Sequence, residues 1–380
     1  MKTVAELNKI PDTRNPIRRK INMSSAPRAK ISDITRMTGL SHGTVSMALR
    51  NDKSIREATR IKVKEAARKL NYVPNLLAGS LSGGRTRIIG AMLTVATPDL
   101  EPILRRLQEL SEAENYTLST FFSYYDDERE AAAFRHLCQI HAEGVIWIPG
   151  RMARKSFPAN AAILERSGIP LCILGIPFEN DRLKHLHVGG DKRKAYEMAL
   201  DYLLECGHSK IAFLSASAAR GETGEMEREH LKTIRDIFAD RSIRLPETNI
   251  FHADDADLGG FSAAAKIVQL NPVSRPQAII TSSSKLARSL KIGLETLGLR
   301  IPDDISIMSY AINPEDIADK WLSGINIQLN EHASAAWTNL TASGTPDEND
   351  IPGTLCYVND YQEIIIKPEL IKGRTVSCLA

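Results

Sequence analysis

The spacing of apolar residues divides the chain into two kinds of sequence. Between residues 29 and 74 they recur three and four apart, as on helices. In "KISDITRMTGL", Ile31, Ile34 and Met37 share one face, and Gly39 supplies a stop. In "SHGTVSMAL", Ser41 is a good N-cap, Thr44 lies three residues on, and Val45 and Leu49 form the apolar face. A third helix is predicted from about Glu57 to Asn71, with Ile61, Val63, Ala67 and Leu70 as its buried positions. Pro74 ends it, because the residue before a proline avoids the helical region. Asn75 can cap a short further turn, "LLAGSL", and Gly83-Gly84 then release the chain.

From Thr86 onward the rhythm changes. Short apolar runs such as "RIIGAMLTV", "YTLSTFFS", "VIWIPG", "KIAFLSA", "QAIITSS" and "ISIMSY" alternate with amphipathic stretches such as "LEPILRRLQELSEAEN" and "LARSLKIGLETLG". Strand–helix alternation predicts parallel sheets with helices on both faces.

The second helix of the first region carries an odd outward face. His42, Gly43, Thr44, Ser46 and Met47 lie near its N-terminal end, and such residues do little for helix propensity. A helix that enters a DNA major groove needs short side chains there, and its N-terminus presents N–H groups and a positive dipole to phosphate. A helix, a glycine-containing turn and a second helix form the helix-turn-helix pattern. The plainer alternative is a helical hairpin that only packs.

Charge supports the first reading. Residues 1–87 carry 19 Lys and Arg against 6 Asp and Glu, or +13, and the remainder carries 30 against 40, or −10. A basic head on an acidic body suits a polyanion-binding module on a carrier that is not itself drawn to polyanions. Residues 1–28, with Pro11, Pro16 and Pro27 and no helical periodicity, read as a basic, disordered tail.

At 380 residues there is room for two or three cores. No run of 18 apolar residues exists, so no membrane span is expected. The N-terminus lacks the apolar core of a secretory signal. Five scattered cysteines without a C-x-x-C pair read as free thiols in a reducing cytoplasm, with neither a disulfide framework nor a zinc site. "GGR" at Gly83 lacks phosphate-loop spacing, the histidines form no metal-ligand set, and His208 in "GHSKI" reads as structural. No nucleophile–base arrangement stands out, so neither an enzyme nor a cofactor is expected.

The stretches "ISDITRMTGLSHGTVSMAL", "ATRIKVKEAARKLNYVPN", "LAGSL" and "IIGAML" resemble the lactose-repressor (LacI/GalR) family of bacterial transcription regulators, ungapped from Lys30 to Leu81. "ECGHSKIAFLSA" and "LGLRIPDDISIMSY" match its core signatures. The resemblance implies an all-α three-helix head at 29–74 and a hinge helix or linker at 75–84. These would join an α/β core of two doubly wound, periplasmic-binding-protein-like subdomains at 85–380. The N-subdomain would span 85–206 and 327–346, the C-subdomain 207–326 and 347–380, with crossings near 207, 326 and 347.

The resemblance also assigns roles. Ser41, His42, Gly43, Thr44, Ser46, Met47, Arg50 and Thr59 would meet the major groove or phosphates. Tyr72, Asn75, Ala78 and Leu81 would serve the hinge, with Leu81 as a minor-groove wedge that unstacks a base step. Met47 stands where the family usually has Arg, Arg50 where it has Asn, and Gly79 lies inside the hinge helix; these departures imply a non-typical operator and a reluctant hinge. For an effector, Arg228 matches the family's Arg, Ser283 and Ser284 fall on its Asn-Asp pair, and Ala311 on its later Asp. Losing those carboxylates argues against an ordinary sugar pocket. The implied protein is a cytoplasmic, nucleoid-associated regulator. Its partners would be operator DNA, a second copy of itself (a tetramer remains open) and a small effector of unknown type. The rivals are an effector-blind regulator and a small-molecule receptor.

Overall fold

The computed structural model describes residues 29–72, 85–94, 100–149, 157–175, 185–216, 223–253, 258–342, 356–358 and 363–379. It falls into two compact units, Met1–Gly84 and Arg85–Ala380.

The first unit holds α1 (Ile31–Thr38), α2 (His42–Leu49) and α3 (Glu57–Lys69). Gly39 closes α1 in the left-handed region, φ 72°, and its N–H bonds the Thr35 carbonyl at 2.9 Å. The core is small: Ile34, Val45, Ala48, Val63, Ala66 and Ala67 are buried together. Two expected core positions lie outside it, Met37 at 51% exposed and Ile61 at 48%. Thr38 takes the inward place at the end of α1, donating its hydroxyl to the Ile34 carbonyl at 2.7 Å. On α3 the inward row is Val63, Ala66 and Ala67, whose small side chains let the helix approach its neighbours. That row puts Ile61 on the far face. The helix stops at Lys69, and Asn71 turns left-handed at φ 47°.

The second unit has two sheets. The first is built from β1 (Ile88–Leu93), β2 (Thr117–Phe122), β3 (Gly144–Ile148), β4 (Leu171–Leu174), β5 (Leu186–Gly190), β11 (Cys356–Val358) and β12 (Ile364–Ile366), in the order β11-β12-β5-β4-β3-β1-β2. The second is built from β6 (Ile211–Ala216), β7 (Ile250–Ala253), β8 (Ala278–Thr281), β9 (Ser306–Ser309), β10 (Ser323–Asn326) and β13 (Glu369–Ile371), in the order β13-β10-β9-β8-β6-β7. Pairing is parallel except that β11 runs against β12 and β13 against β10. The fully buried strands β1, β4, β8 and β9 read as continuous apolar or small-residue runs because helices cover both faces.

On the first sheet, α4 (Glu101–Ala113) and α12 (Leu329–Thr341) cover one face around Leu107 and Trp337. The other face carries α5 (Asp127–Gln139) and α6 (Phe157–Arg166) around Phe134 and Trp147. On the second sheet, α7 (Lys192–Glu205) and α8 (Thr223–Asp240) pack around Phe213 and Ile237. The opposite face carries α9 (Gly259–Gln269), α10 (Ser284–Thr296) and α11 (Pro314–Asp319) around Leu290 and Ile307.

This topology corrects two of the three expected crossings. α7 buries Tyr196, Leu200 and Leu203 against the second sheet, so the chain has already crossed by Asp191 and not near 207. The second crossing follows β10 at Asn326. The third lies between Ile366 and Glu369 rather than near 347, because β12 pairs with β5 of the first sheet. Residues 356–358 and 364–366 therefore belong with the N-subdomain.

The cysteines also depart from expectation. Cys206 and Cys378 are paired in a disulfide across a separation of 172 residues, while Cys138, Cys172 and Cys356 are free thiols. The C-terminal segment returns past the end of α7. There Leu379 N–H bonds the Cys206 carbonyl at 2.8 Å, and His208 Nε2 meets the Ser377 carbonyl at 2.8 Å. This return brings the two cysteines together, and it gives His208 the structural role expected of it.

Candidate nucleic-acid interface and ligand cleft

The first candidate site is built on α2. Ser41 caps the helix: its Oγ accepts the Thr44 N–H at 3.2 Å and lies 2.9 Å from the Thr44 hydroxyl. Val45 and Ala48 are buried, which turns positions 42, 43, 46, 47 and 50 outward. His42, Gly43 and Arg50 are exposed, and Thr44, Ser46 and Met47 are half-buried. The expected groove-facing residues therefore share one face, beside first-turn amides that lack intrahelical partners. Thr59, half-buried, sits in the first turn of α3, with its N–H on the Arg56 carbonyl at 2.9 Å.

The link between α2 and α3 is fixed by Asp52, which accepts the Ser54 hydroxyl at 2.7 Å and the Ser54 N–H at 2.9 Å. Those bonds, hydroxyl first, hold the Asp52 carboxyl below the usual range. Lys62 Nζ reaches the Thr38 carbonyl at 2.9 Å, placing a cation at the C-terminal end of α1. Tyr72 packs half-buried against the head core. Asn75, Ala78 and Leu81 lie outside the described residues.

The second candidate site is a cavity of about 590 Å³ between the two sheets' lobes. It opens at the carboxyl ends of parallel strands, where α/β folds place their ligands. Ile148, Leu174 and Gly190 end β3, β4 and β5 there, and Asp191 begins α7 with its carboxylate on the Lys194 N–H at 2.8 Å. From the second lobe come Glu229, His230 and Thr233 of α8, and Tyr310 after β9. Two chain crossings add Ile327 and His332, then Glu363 and Ile365.

An aromatic cluster stands at its second-lobe side. Tyr196 stacks on Tyr310 with centroids 4.4 Å apart, and its hydroxyl lies 2.7 Å from His230 Nδ1. Burial, and then the nearby Asp191, pushes the Tyr310 phenol well up.

The four residues expected to meet an effector are not among the residues lining this cavity. Arg228 is exposed on α8. Ser283 caps α10, accepting the Leu286 N–H at 3.4 Å, and Ser284 is buried within that helix's first turn. Ala311 is half-buried, and its carbonyl accepts the Ser309 hydroxyl at 2.8 Å. Glu229, one after Arg228, and Tyr310, one before Ala311, do line it, whereas no neighbour of Ser283 or Ser284 does. His332 and Glu363 went unnoticed in the sequence, since a single histidine on a helix and an acid ahead of a short strand carry no spacing signal.

The chain matches the family model described as "Bacterial regulatory proteins, lacI family" over residues 30–75, and the "Periplasmic binding protein-like domain" over residues 200–356. The ribose operon repressor of Escherichia coli K12 is 26% identical over 293 residues, covering 74% of this chain and 82% of that protein. Catabolite control protein A of Staphylococcus xylosus is 22% identical over 281 residues, 74% of this chain and 81% of that one. In fold, the chain is similar to a lac repressor dimer bound to operator and the anti-inducer ONPF. The TM-score is 0.71 at 18% identity, over 92% of this chain and 99% of that one. A CelR–cellobiose complex matches with a TM-score of 0.56 at 19% identity, over 92% and 100%. No helix among the described residues is long and apolar enough to cross a membrane. A capped helix-turn-helix head matching one model, and a core matching the other over part of its length, are what the chain shares with the LacI family of bacterial regulatory proteins.

Proposed function

We propose that this regulator is a repressor whose heads bind a two-fold pseudo-palindromic operator as a dimer. Each α2 lies in a major groove, and Leu81 pries a central step from the minor groove. The observation that carries the reading is the outward row His42, Gly43, Ser46 and Met47 on a helix capped by Ser41. Short side chains there allow the backbone to approach base edges, and one such helix spans only a half-site, so two heads are needed. Met47 offers apolar contact where an arginine would grip guanine, so the preferred base opposite it is thymine, through its methyl group.

The cleft is the effector site in this reading. Cleft residues come from both lobes, so a ligand that binds one lobe arrangement better than another shifts their balance. Through that shift it would change how the paired heads meet DNA. A regulator that acts on the chromosome works in the cytoplasm at the nucleoid.

Selection of bound sequences from random duplexes tests the reading. A two-fold symmetric motif is expected. An asymmetric motif, or none above bulk competitor, would overturn it.

A further inference from the structure

We infer that the cleft takes a mainly apolar, aromatic, non-anionic small molecule that ends in a hydrogen-bond donor, the donor seated on His332 Nε2. The inference rests on the reading of the cleft as the effector site and names the chemistry of what fills it.

The walls set the body of the ligand. Ile103, Ile148, Leu174, Ile327, Leu329 and Ile365 line the cavity from both lobes. Gly189 lets the backbone pack closely on Gly175, and Gly190 leaves His332 Nε2 uncrowded. A Cβ on Gly189 would stand 2.9 Å from the Gly175 carbonyl oxygen, and one on Gly190 would stand 3.3 Å from His332 Nε2. The ring of Tyr310, stacked on Tyr196, offers an aromatic surface. A cavity of about 590 Å³ suits a compound of ordinary metabolite size.

The charges exclude an anion. Lys192 is paired with Glu229 at 3.1 Å. Arg193 is held by Glu197 at 3.0 Å and by Asp240. Both cations of the lining are thus already neutralised, while Asp191 and Glu363 add carboxylates. Among the described residues, a carboxylate or phosphate ligand would lose water and meet no uncommitted cation.

His332 supplies the polar anchor. The ring is buried, and Nδ1 lies 3.0 Å from the Gln328 carbonyl. A carbonyl only accepts, so Nδ1 carries the proton. Burial lowers the ring's pKa, so the imidazole is neutral and Nε2 is an acceptor. Among the described residues Nε2 has no partner. It therefore calls for an O–H or N–H on the ligand. A sugar brings hydroxyls on every edge, and these walls would leave most of them unpaired.

Calorimetry on the full chain at pH 7 tests this with four probes: 2-naphthol, 2-methoxynaphthalene, naphthalene-2-carboxylate and D-ribose. The expected order places 2-naphthol tightest, with the methoxy compound at least about tenfold weaker because it lacks the donor. The carboxylate and ribose should be weaker again. His332→Leu should abolish the difference between the hydroxy and methoxy compounds. Absence of 2-naphthol binding, tighter binding of the carboxylate or ribose, or a hydroxy–methoxy difference that survives His332→Leu would each overturn the inference. The hydroxy–methoxy comparison on the unaltered chain stands even if the variant fails to fold. Measuring operator affinity with 2-naphthol present separates the two readings: binding in the expected order without any change in DNA affinity sinks the effector role and leaves the ligand class intact.

Discussion

The head leaves a larger share of its cations without a carboxylate partner than the core does, among the described residues. In the core, Arg193, Arg235, Arg241, Arg288 and Arg300 each meet a carboxylate. In the head, Arg36 pairs with Asp33 and Arg60 with Glu57, but Lys30, Lys53, Arg56, Lys64, Arg68 and Lys69 are exposed with no acidic partner among the described residues. Paired cations are spent within the protein, whereas exposed, uncommitted ones are available to phosphates. The contrast explains how a chain with a net charge of only +3 can bind DNA.

The contrast can be pressed hardest with salt. If about six head cations meet phosphates, operator affinity should fall roughly a thousandfold between 50 and 200 mM salt, read by fluorescence anisotropy. A flat response would mean that the head's cations do not engage the backbone.

The two regions also differ in the depth of their cores. Six buried side chains hold the head, while the larger unit has four clusters. Ile34→Ala should cost about 2–5 kcal/mol, enough to unfold a head of this size and abolish DNA binding. The melting transition of the core, followed by calorimetry, should not move.

A buried acid in the core gives a third test. Glu130 is buried on α5, with Asn160 Nδ2 donating to it at 2.7 Å. Burial raises its pKa from 4.5 to about 7, against the opposing Asn160 bond. The folded chain therefore binds more proton than the unfolded one between those values, and core stability falls as pH rises through that window. Glu130→Gln should stabilise the core at pH 8 by on the order of 2–3 kcal/mol and change little at pH 4.5, measured by urea melts. An equal effect at both pH values would contradict the burial argument.

Smallest is the cap. Ser41→Ala should cost α2 about 1 kcal/mol, seen as faster hydrogen exchange of its amides with the core's protection unchanged.

Local signals explain which parts were legible. Gly39 and Ser41 mark the turn between α1 and α2 by their own conformational preferences, so the helix-turn-helix could be read directly. Met37 and Ile61 misled because apolar spacing fixes a helical face, but in a three-helix unit Thr38 and Ala66 competed for the inward places. β5 escaped notice because "LHVGG" carries a histidine and two glycines in place of a continuous apolar run. The return of β12 to the first sheet depends on pairing with β5, far away in the chain, and leaves no local trace. The cleft was hidden for the same reason: Gly190, Tyr310, His332 and Glu363 meet only after both crossings are made.

The central claim is that α2 reads bases with its outward row. Replacing Met47 with Arg and repeating the selection from random duplexes tests it most directly. Guanine should replace thymine at one position in each half-site, two-fold related, with the rest of the motif kept. An unchanged motif, or a change at a position without a symmetric mate, would contradict it.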